Sequence, residues 1–188
     1  MRVSREQATE NRERVIDVAS RLFREFGFDG IGIAELMKNA GLTQGGFYKQ
    51  FKSKEDLVAQ ATERAARHAA ERWEAVAAEQ PDHPMEAILD LYMSTGHRDE
   101  RAEGCPLTAL GSDAARQGDE VKAAFEHGIR AYLQTLEKLL PGTSEGQRAA
   151  IMSMMVGAVT LSRTVNDPAL SRVVLEGTKA QIRELAAG

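Results

Sequence analysis

The stretch Gly41–Leu57, GLTQGGFYKQFKSKEDL, decides the reading of this chain. It reads as a turn, a short helix, a second turn and the start of a long helix. Thr43 is a hydroxyl residue suited to cap the short helix. Gly45 and Gly46 follow at once, where good helix formers are usual, and each costs roughly 1 kcal/mol against Ala. Close approach of backbone to a partner is the usual reason for such a cost. Phe47 and Phe51 lie four apart and share one buried face. Thr43, Gln44, Tyr48 and Lys49 then point elsewhere, and all can donate hydrogen bonds. Lys52 and Lys54 flank the second turn. Ser53 caps the long helix, with Asp56 three residues on as an Asp variant of the capping box.

Upstream, IAELMKNA (Ile33–Ala40) is another short helix, closed by Gly41 as a left-handed cap. Helix, short Gly-containing turn, helix is the helix-turn-helix pattern, whose second helix enters a DNA major groove. A generic helical hairpin with a polar surface has the same outline, so the flanks matter. Leu22, Phe23, Phe26 and Gly27 close a first helix over roughly Asn11–Phe26. The Gly41-Leu42-Thr43 turn, Phe47-Tyr48-x-x-Phe51 and Ser53-Lys54-Glu55-x-Leu57 follow. Taken together, about Glu10 to Gln60, this resembles the DNA-binding domain of TetR-family transcriptional regulators. Two positions depart from the family pattern. Gly32 stands where Ser or Thr often caps the second helix and touches phosphate. Met37 stands where Ala is usual at the contact between the short helices.

The first helix carries Val15, Val18, Ala19, Leu22, Phe23 and Phe26 at helical spacing, one apolar face. Ile31, Ile33, Leu36 and Leu42 complete a small core with Phe47 and Phe51. The long helix runs from Lys54 to about Glu79. Further helices are expected over Pro84–Gly96, from Pro106 with Leu107 and Leu110, over Asp119–Leu140 with Asp119 as cap, from Ser144 to about Thr164, and from Pro168 to about Leu185. His97–Gly104 and Gly111–Gly118 read as loop and turn. No strand alternation or internal repeat is visible. The fold class is all-α, with about nine helices: a helix-turn-helix DNA-binding domain over 1–53 and a ligand-binding and dimerisation domain over 54–188.

Composition agrees with a globular chain. Of 188 residues, 43% are hydrophobic and 28% charged, enough for a real core. No apolar run approaches the roughly 20 residues of a membrane span. No apolar signal region opens the chain, so a cytoplasmic location is expected. The single cysteine, Cys105, leaves no internal disulfide and no cysteine-cluster metal site. Net charge is −4, but residues 1–60 carry ten Lys/Arg against nine Asp/Glu, and the remainder fourteen against nineteen. Arg2, Arg5, Arg12 and Arg14 cluster near the start, and Lys49, Lys52 and Lys54 at the motif. Such local patches bind phosphates even on an acidic protein; ordinary solvated charges are the other reading for the arginines.

The resemblance implies roles. Thr43, Gln44, Gly45 and Gly46 lie at the groove-facing start of the recognition helix, with Gln44 suited to an adenine edge. Tyr48, Lys49 and Lys54 hold phosphates, Lys54 together with its helix N-terminus. The last two helices pair with their copies in a second subunit through Ile151, Met154, Met155, Ala158, Leu161, Leu170, Val173, Val174 and Gly177, although such stripes are also ordinary core. The resemblance further implies a small-molecule effector pocket, for which residue type and helix order nominate Trp73, Tyr92, Met93, His97, Cys105, Leu110, Phe125 and Tyr132. Cys105 has two readings. At a helix start its thiol is placed to sense electrophiles or oxidants; equally, it is a small buried residue.

Three classes compete. The first is a homodimeric, ligand-responsive repressor of an inverted-repeat DNA operator. The second is an enzyme, for which His68, His83, His97 and His127 show no ligand spacing and no nucleophile or phosphate-loop motif exists. The third is an architectural or purely dimerising helical protein. The expectation is the first: no enzyme, no cofactor, no metal, no membrane.

Overall fold

The computed structural model describes residues 4–187, and among them every regular element is helical. Among the described residues there are nine α-helices and two short 3-10 segments: α1 Arg5–Phe26, α2 Ile33–Asn39, a 3-10 segment Gln44–Lys49, α3 Lys54–Glu79, α4 Pro84–Tyr92, α5 Thr95–Asp99, a 3-10 segment Arg101–Glu103, α6 Pro106–Ala114, α7 Asp119–Leu139, α8 Glu145–Thr164 and α9 Pro168–Ala187.

The first helix begins six residues before the expected Asn11. Ser4 Oγ accepts the Gln7 N–H at 3.1 Å, and Gln7 bonds on to Glu10 and Asn11. These opening turns are polar on every side, so apolar periodicity does not register them. The buried face of α1 is Val15, Ile16, Ala19 and Phe23. Phe26, expected in that core, is 56% exposed, because the chain reverses at Gly27. Phe28 comes back instead, edge-on to Phe23 at 5.6 Å.

The turn after α2 is a full Schellman motif. Gly41, at φ +72°, donates its N–H to Lys38 O at 3.0 Å, and Leu42 donates to Met37 O at 2.8 Å. Gly32 precedes α2 with no side-chain cap, so that end is open to backbone contact only. The next segment is a 3-10 helix of six residues, and Thr43 makes no capping bond. Its Gly46→Thr43 and Gln50→Phe47 bonds span three residues, the tighter form that short, glycine-bearing turns adopt. It is held from below instead: Phe47 is fully buried with Leu36 and Met37, and Phe51 stacks 5.4 Å from it. Met37 packs beneath Gly46, its Cε lying 3.6 Å from where a Cβ would be, an ordinary contact distance.

Ser53 caps α3, accepting the Asp56 N–H at 3.0 Å. The Asp56 carboxylate reaches back one residue further than a capping box requires, to the Lys52 N–H at 2.9 Å. Leu57, Val58 and Ala61 then join the head core, which continues upward into Leu110, Ala114, Val121 and Phe125 of α6 and α7. Arg64 clamps α1 to α3 through Glu13 and Asp17.

A second core lies beyond, around Trp73, Ile88, Leu89, Tyr132, Leu136, Ile151, Met155 and Leu175. Here the expected helix to Gly96 stops at Tyr92. Ser94 starts a new turn, its Oγ accepting the His97 N–H at 3.0 Å. The segment expected as loop, His97–Gly104, therefore holds most of α5 and a 3-10 turn. Helix α6 continues through Gly111 to Ala114. Gly118, rather than Asp119, is the cap of α7. Ser144 and Gln147 form a reciprocal capping box on α8.

Candidate nucleic-acid interface and effector cavity

The short segment after the Schellman turn presents Thr43, Gln44, Gly45, Tyr48 and Lys49 to solvent, with Gly46 and Lys54 half-buried. Tyr48 is 71% exposed and stands perpendicular to Phe47, ring centroids 5.1 Å apart. The neighbouring side-chain hydrogen bonds fall at Asn39 and Lys52, leaving these donors unengaged among the described residues. Gly45 and Gly46 have no positive φ, and nothing lies within 4 Å of a Cβ built on Gly45. The packing of the described chain thus gives no reason for glycine at 45. Lys52 is exposed beside them. The N-terminal arginines behave differently. Arg12 bonds Gln60 and covers the Phe51 ring at 5.2 Å. Arg14 bonds Asn11 at 3.1 Å and reaches toward Ala40 O. Both are engaged within the head; Arg5 is exposed, and Arg2 lies outside the described residues.

Of the residues nominated for a pocket, Trp73, Tyr92, His97 and Cys105 line one cavity of ≈110 Å³. Tyr132 lies behind, 4.9 Å from the Trp73 ring, and Met93 is buried in the same core. Leu110 and Phe125 are elsewhere, in the head-side core; Phe125 borders a wide apolar groove of ≈750 Å³ between α6, α7 and α8. Helix order alone groups residues that α7 presents at different levels of its length. Cys105 is 4% exposed at the start of α6, and its thiol donates to Tyr132 Oη at 3.8 Å. Two arginines of the cavity wall, Arg24 and Arg72, were not expected. Arg24 has one faint signal: Ile16, Ser20 and Arg24 repeat every four residues beside the Val15, Ala19, Phe23 row, placing a charge on the buried side of α1.

His97 is the hinge of the cavity. Its Nε2 accepts the Cys105 N–H at 3.0 Å, so its proton sits on Nδ1, which donates to Tyr92 O at 2.7 Å. Burial, helped by the charges of Arg163 and Arg72, lowers its pKa to about 4, against the opposing pull of the Tyr92 carbonyl. Burial likewise pushes the Tyr92 and Tyr132 hydroxyls well above the usual phenol range, so both stay protonated donors. The unfolded chain titrates His97 near 6.5. The neutral ring's contribution is therefore fully present above pH 6.5 and is lost as pH falls toward 4. Between pH 7.5 and pH 5, wild type should lose roughly 2 kcal/mol more stability than His97→Gln, read from urea midpoints at the two pH values. Equal losses in the two proteins would remove His97 as the acid-sensitive group.

Helices α8 and α9 pack together along the outer edge of the body. Leu161, Leu170 and Val173 are 57%, 46% and 67% exposed, Gly177 is exposed, and Met154 and Val174 are half-buried. Ile151, Met155 and Ala158, expected with them, are buried within the chain and have no surface left for a second subunit. The apolar stripe of α8 is wider than its intramolecular contact, so one edge turns inward and the other outward.

A three-helix head whose Schellman turn leads into an exposed, donor-rich, glycine-bearing segment, carried on an all-helical body, defines a helix-turn-helix DNA-binding protein. Residues 15–61 match the profile described as bacterial regulatory proteins, tetR family. The AcrR regulator of Shigella flexneri is 31% identical over 92 residues, 49% of this chain but only 43% of AcrR. The NemR repressor of Escherichia coli K12 is 26% identical over 141 residues, 72% of this chain and 70% of NemR. A crystal structure of a TetR regulator from Chloroflexus aurantiacus superposes with a TM-score of 0.77 at 26% identity, covering 97% of this chain and 95% of that one. The reduced form of E. coli NemR superposes with the same TM-score of 0.77 at 22% identity, over 93% and 96%. Residues 15–61 thus carry the DNA-binding domain of the tetR family, and the chain as a whole is similar to TetR-family transcriptional regulators.

Proposed function

We propose that the protein is a sequence-specific repressor that binds an inverted-repeat operator as a homodimer and leaves it when a small molecule occupies the body. The observation that carries the DNA reading is the unengaged surface of Thr43, Gln44, Tyr48 and Lys49 around a glycine for which internal packing gives no reason. Residues 1–53 read the DNA; residues 54–188 bind the effector and the second subunit. Gln44 reads a base edge. Tyr48, Lys49 and Lys54 hold phosphates, and Thr43, Gly45 and Gly46 bring the backbone close. The outward edge of α8 and α9, centred on Leu161, Leu170 and Val173, pairs with its copy. A two-fold protein on a palindrome places its recognition segments roughly 34 Å apart. NemR, named a repressor, supports the sign of regulation. The named relatives are regulators and none is an enzyme, which supports a role without turnover. The site of action is the cytoplasm, where the DNA is; among the described residues no helix is long and apolar enough to cross a membrane.

The direct test is selection of sheared genomic DNA by the purified protein at near-physiological salt, followed by sequencing. Enrichment of fragments sharing an inverted repeat supports the reading and names the regulated genes. Binding to all DNA without preference points to an architectural role, and recovery of nothing counts against DNA regulation by this protein alone. On the selected operator, Tyr48→Ala should weaken all sequences similarly, since a phosphate contact carries no base information. Gln44→Ala should relax preference at one position, by about 1–3 kcal/mol of discrimination. Competition binding against single-base operator variants separates the two.

A further inference from the structure

Arg24 belongs to the DNA-binding head, yet it is only 5% exposed. Its Nε donates to Ser20 O at 2.9 Å and its Nη1 to Gly104 O at 2.8 Å, both neutral carbonyls. Among the described residues it forms no ion pair: the acid beside it, Glu103, is engaged by Arg21 at 2.7 Å. A buried cation without a carboxylate is costly, and a guanidinium carries five N–H donors where these bonds use two. Arg24 lines the ≈110 Å³ cavity, and also a second one shared with Arg101 and Arg163. The first has Arg72 and His68 at its exposed rim, and Trp73 and Tyr92 form its aromatic wall. Its charge is therefore positive, and its one acid is already paired.

We infer that this cavity takes a small organic anion, a carboxylate on a chain or ring of a few carbons, with the carboxylate on Arg24 and the hydrocarbon against Trp73. The inference rests on the effector reading above and names the ligand class. A neutral apolar ligand needs no buried guanidinium, whereas a carboxylate matches its planar donor fork. The volume sets the size: a cavity of about 150 Å³ holds a benzene, so a ligand here has few heavy atoms or extends through the rim past Arg72.

The position of Arg24 also supplies the link to DNA. Arg21 and Arg24 tie α1 to residues 103 and 104, one step before the Cys105 N–H that His97 holds. An anion held on the remaining donors of Arg24 acts directly on the side chain that joins α1 to Gly104, and so on the joint between head and body.

Trp73 is the only tryptophan of the chain, so its fluorescence reads cavity occupancy in the unlabelled, full-length protein. Propionate and butyrate are titrated, each against its own amide, at matched ionic strength. At least one carboxylate should give a saturable change with a Kd about tenfold or more below that of its amide. Arg72→Gln, at an exposed position, should weaken that carboxylate about threefold or more and leave the amide unchanged. Arg24→Gln should abolish the preference; if that protein does not fold, the wild-type comparison and Arg72→Gln carry the test. Amides that match the carboxylates, or carboxylates that fail to saturate, overturn the anion inference. Fluorescence anisotropy of a labelled operator, read in parallel, separates the two levels. A carboxylate that binds without releasing DNA upholds the anion site and removes the cavity as effector site. An amide that binds equally and releases DNA does the reverse.

Discussion

Replacing Phe47 with Ala should destabilise the protein by about 3–5 kcal/mol, the range for deleting a buried aromatic. Phe47 is fully buried and meets Phe51 at 5.4 Å and Tyr48 at 5.1 Å. The segment that carries it has little else to hold it: six residues, two glycines, no side-chain cap. In a longer α-helix, backbone bonds would share the load. Here the ring is the anchor that keeps Gln44 and Tyr48 facing outward, so operator affinity should fall with stability. Urea unfolding followed by circular dichroism gives the first quantity and operator titration the second. A loss below about 1 kcal/mol would mean that the head is not packed around this ring.

Substituting Gly45 with Leu should separate the two quantities that Phe47→Ala moves together. The backbone at 45 has no positive φ, and a Cβ there meets nothing within 4 Å. Leu is also a far better helix former than Gly, by roughly 0.5–1 kcal/mol. The isolated protein should therefore be as stable as wild type or more so. Operator affinity should fall by about 100-fold or more, since about 2.8 kcal/mol of lost or clashing groove contact suffices for that. The paired measurement is a thermal or urea midpoint beside a Kd on the selected operator. Retained affinity would sink the close-approach role of this glycine, and with it the placement of the segment in the groove. A destabilised protein would show that glycine is needed by the fold after all.

These two residues illustrate what was legible beforehand. The head is written in local signals: Gly41 at a left-handed turn, Ser53 three residues before the Asp56 N–H it accepts, Phe47 and Phe51 four apart. Each works over three to five residues, the range at which sequence spacing and spatial neighbourhood coincide. The all-helical class and the ends set by Pro84, Pro106, Ser144 and Pro168 were readable for the same reason. The start of α1 was not, because its first turns are polar on all sides. Phe26 was misplaced because periodicity continues past a residue at which the chain has already turned back.

The sequence by itself determined the helical class, the helix-turn-helix and its exposed donors, since these follow from contacts between near neighbours and from backbone preferences. Tertiary structure alone decided which edge of the α8 stripe faces out. It split Phe125 and Leu110 from Trp73, Tyr92 and Cys105. It also brought Arg24 to Gly104, 80 positions away, at the wall of a cavity. The physical reason is common to all three. A periodic pattern states that a face is apolar or charged, but the partner of that face is chosen by how whole helices stack.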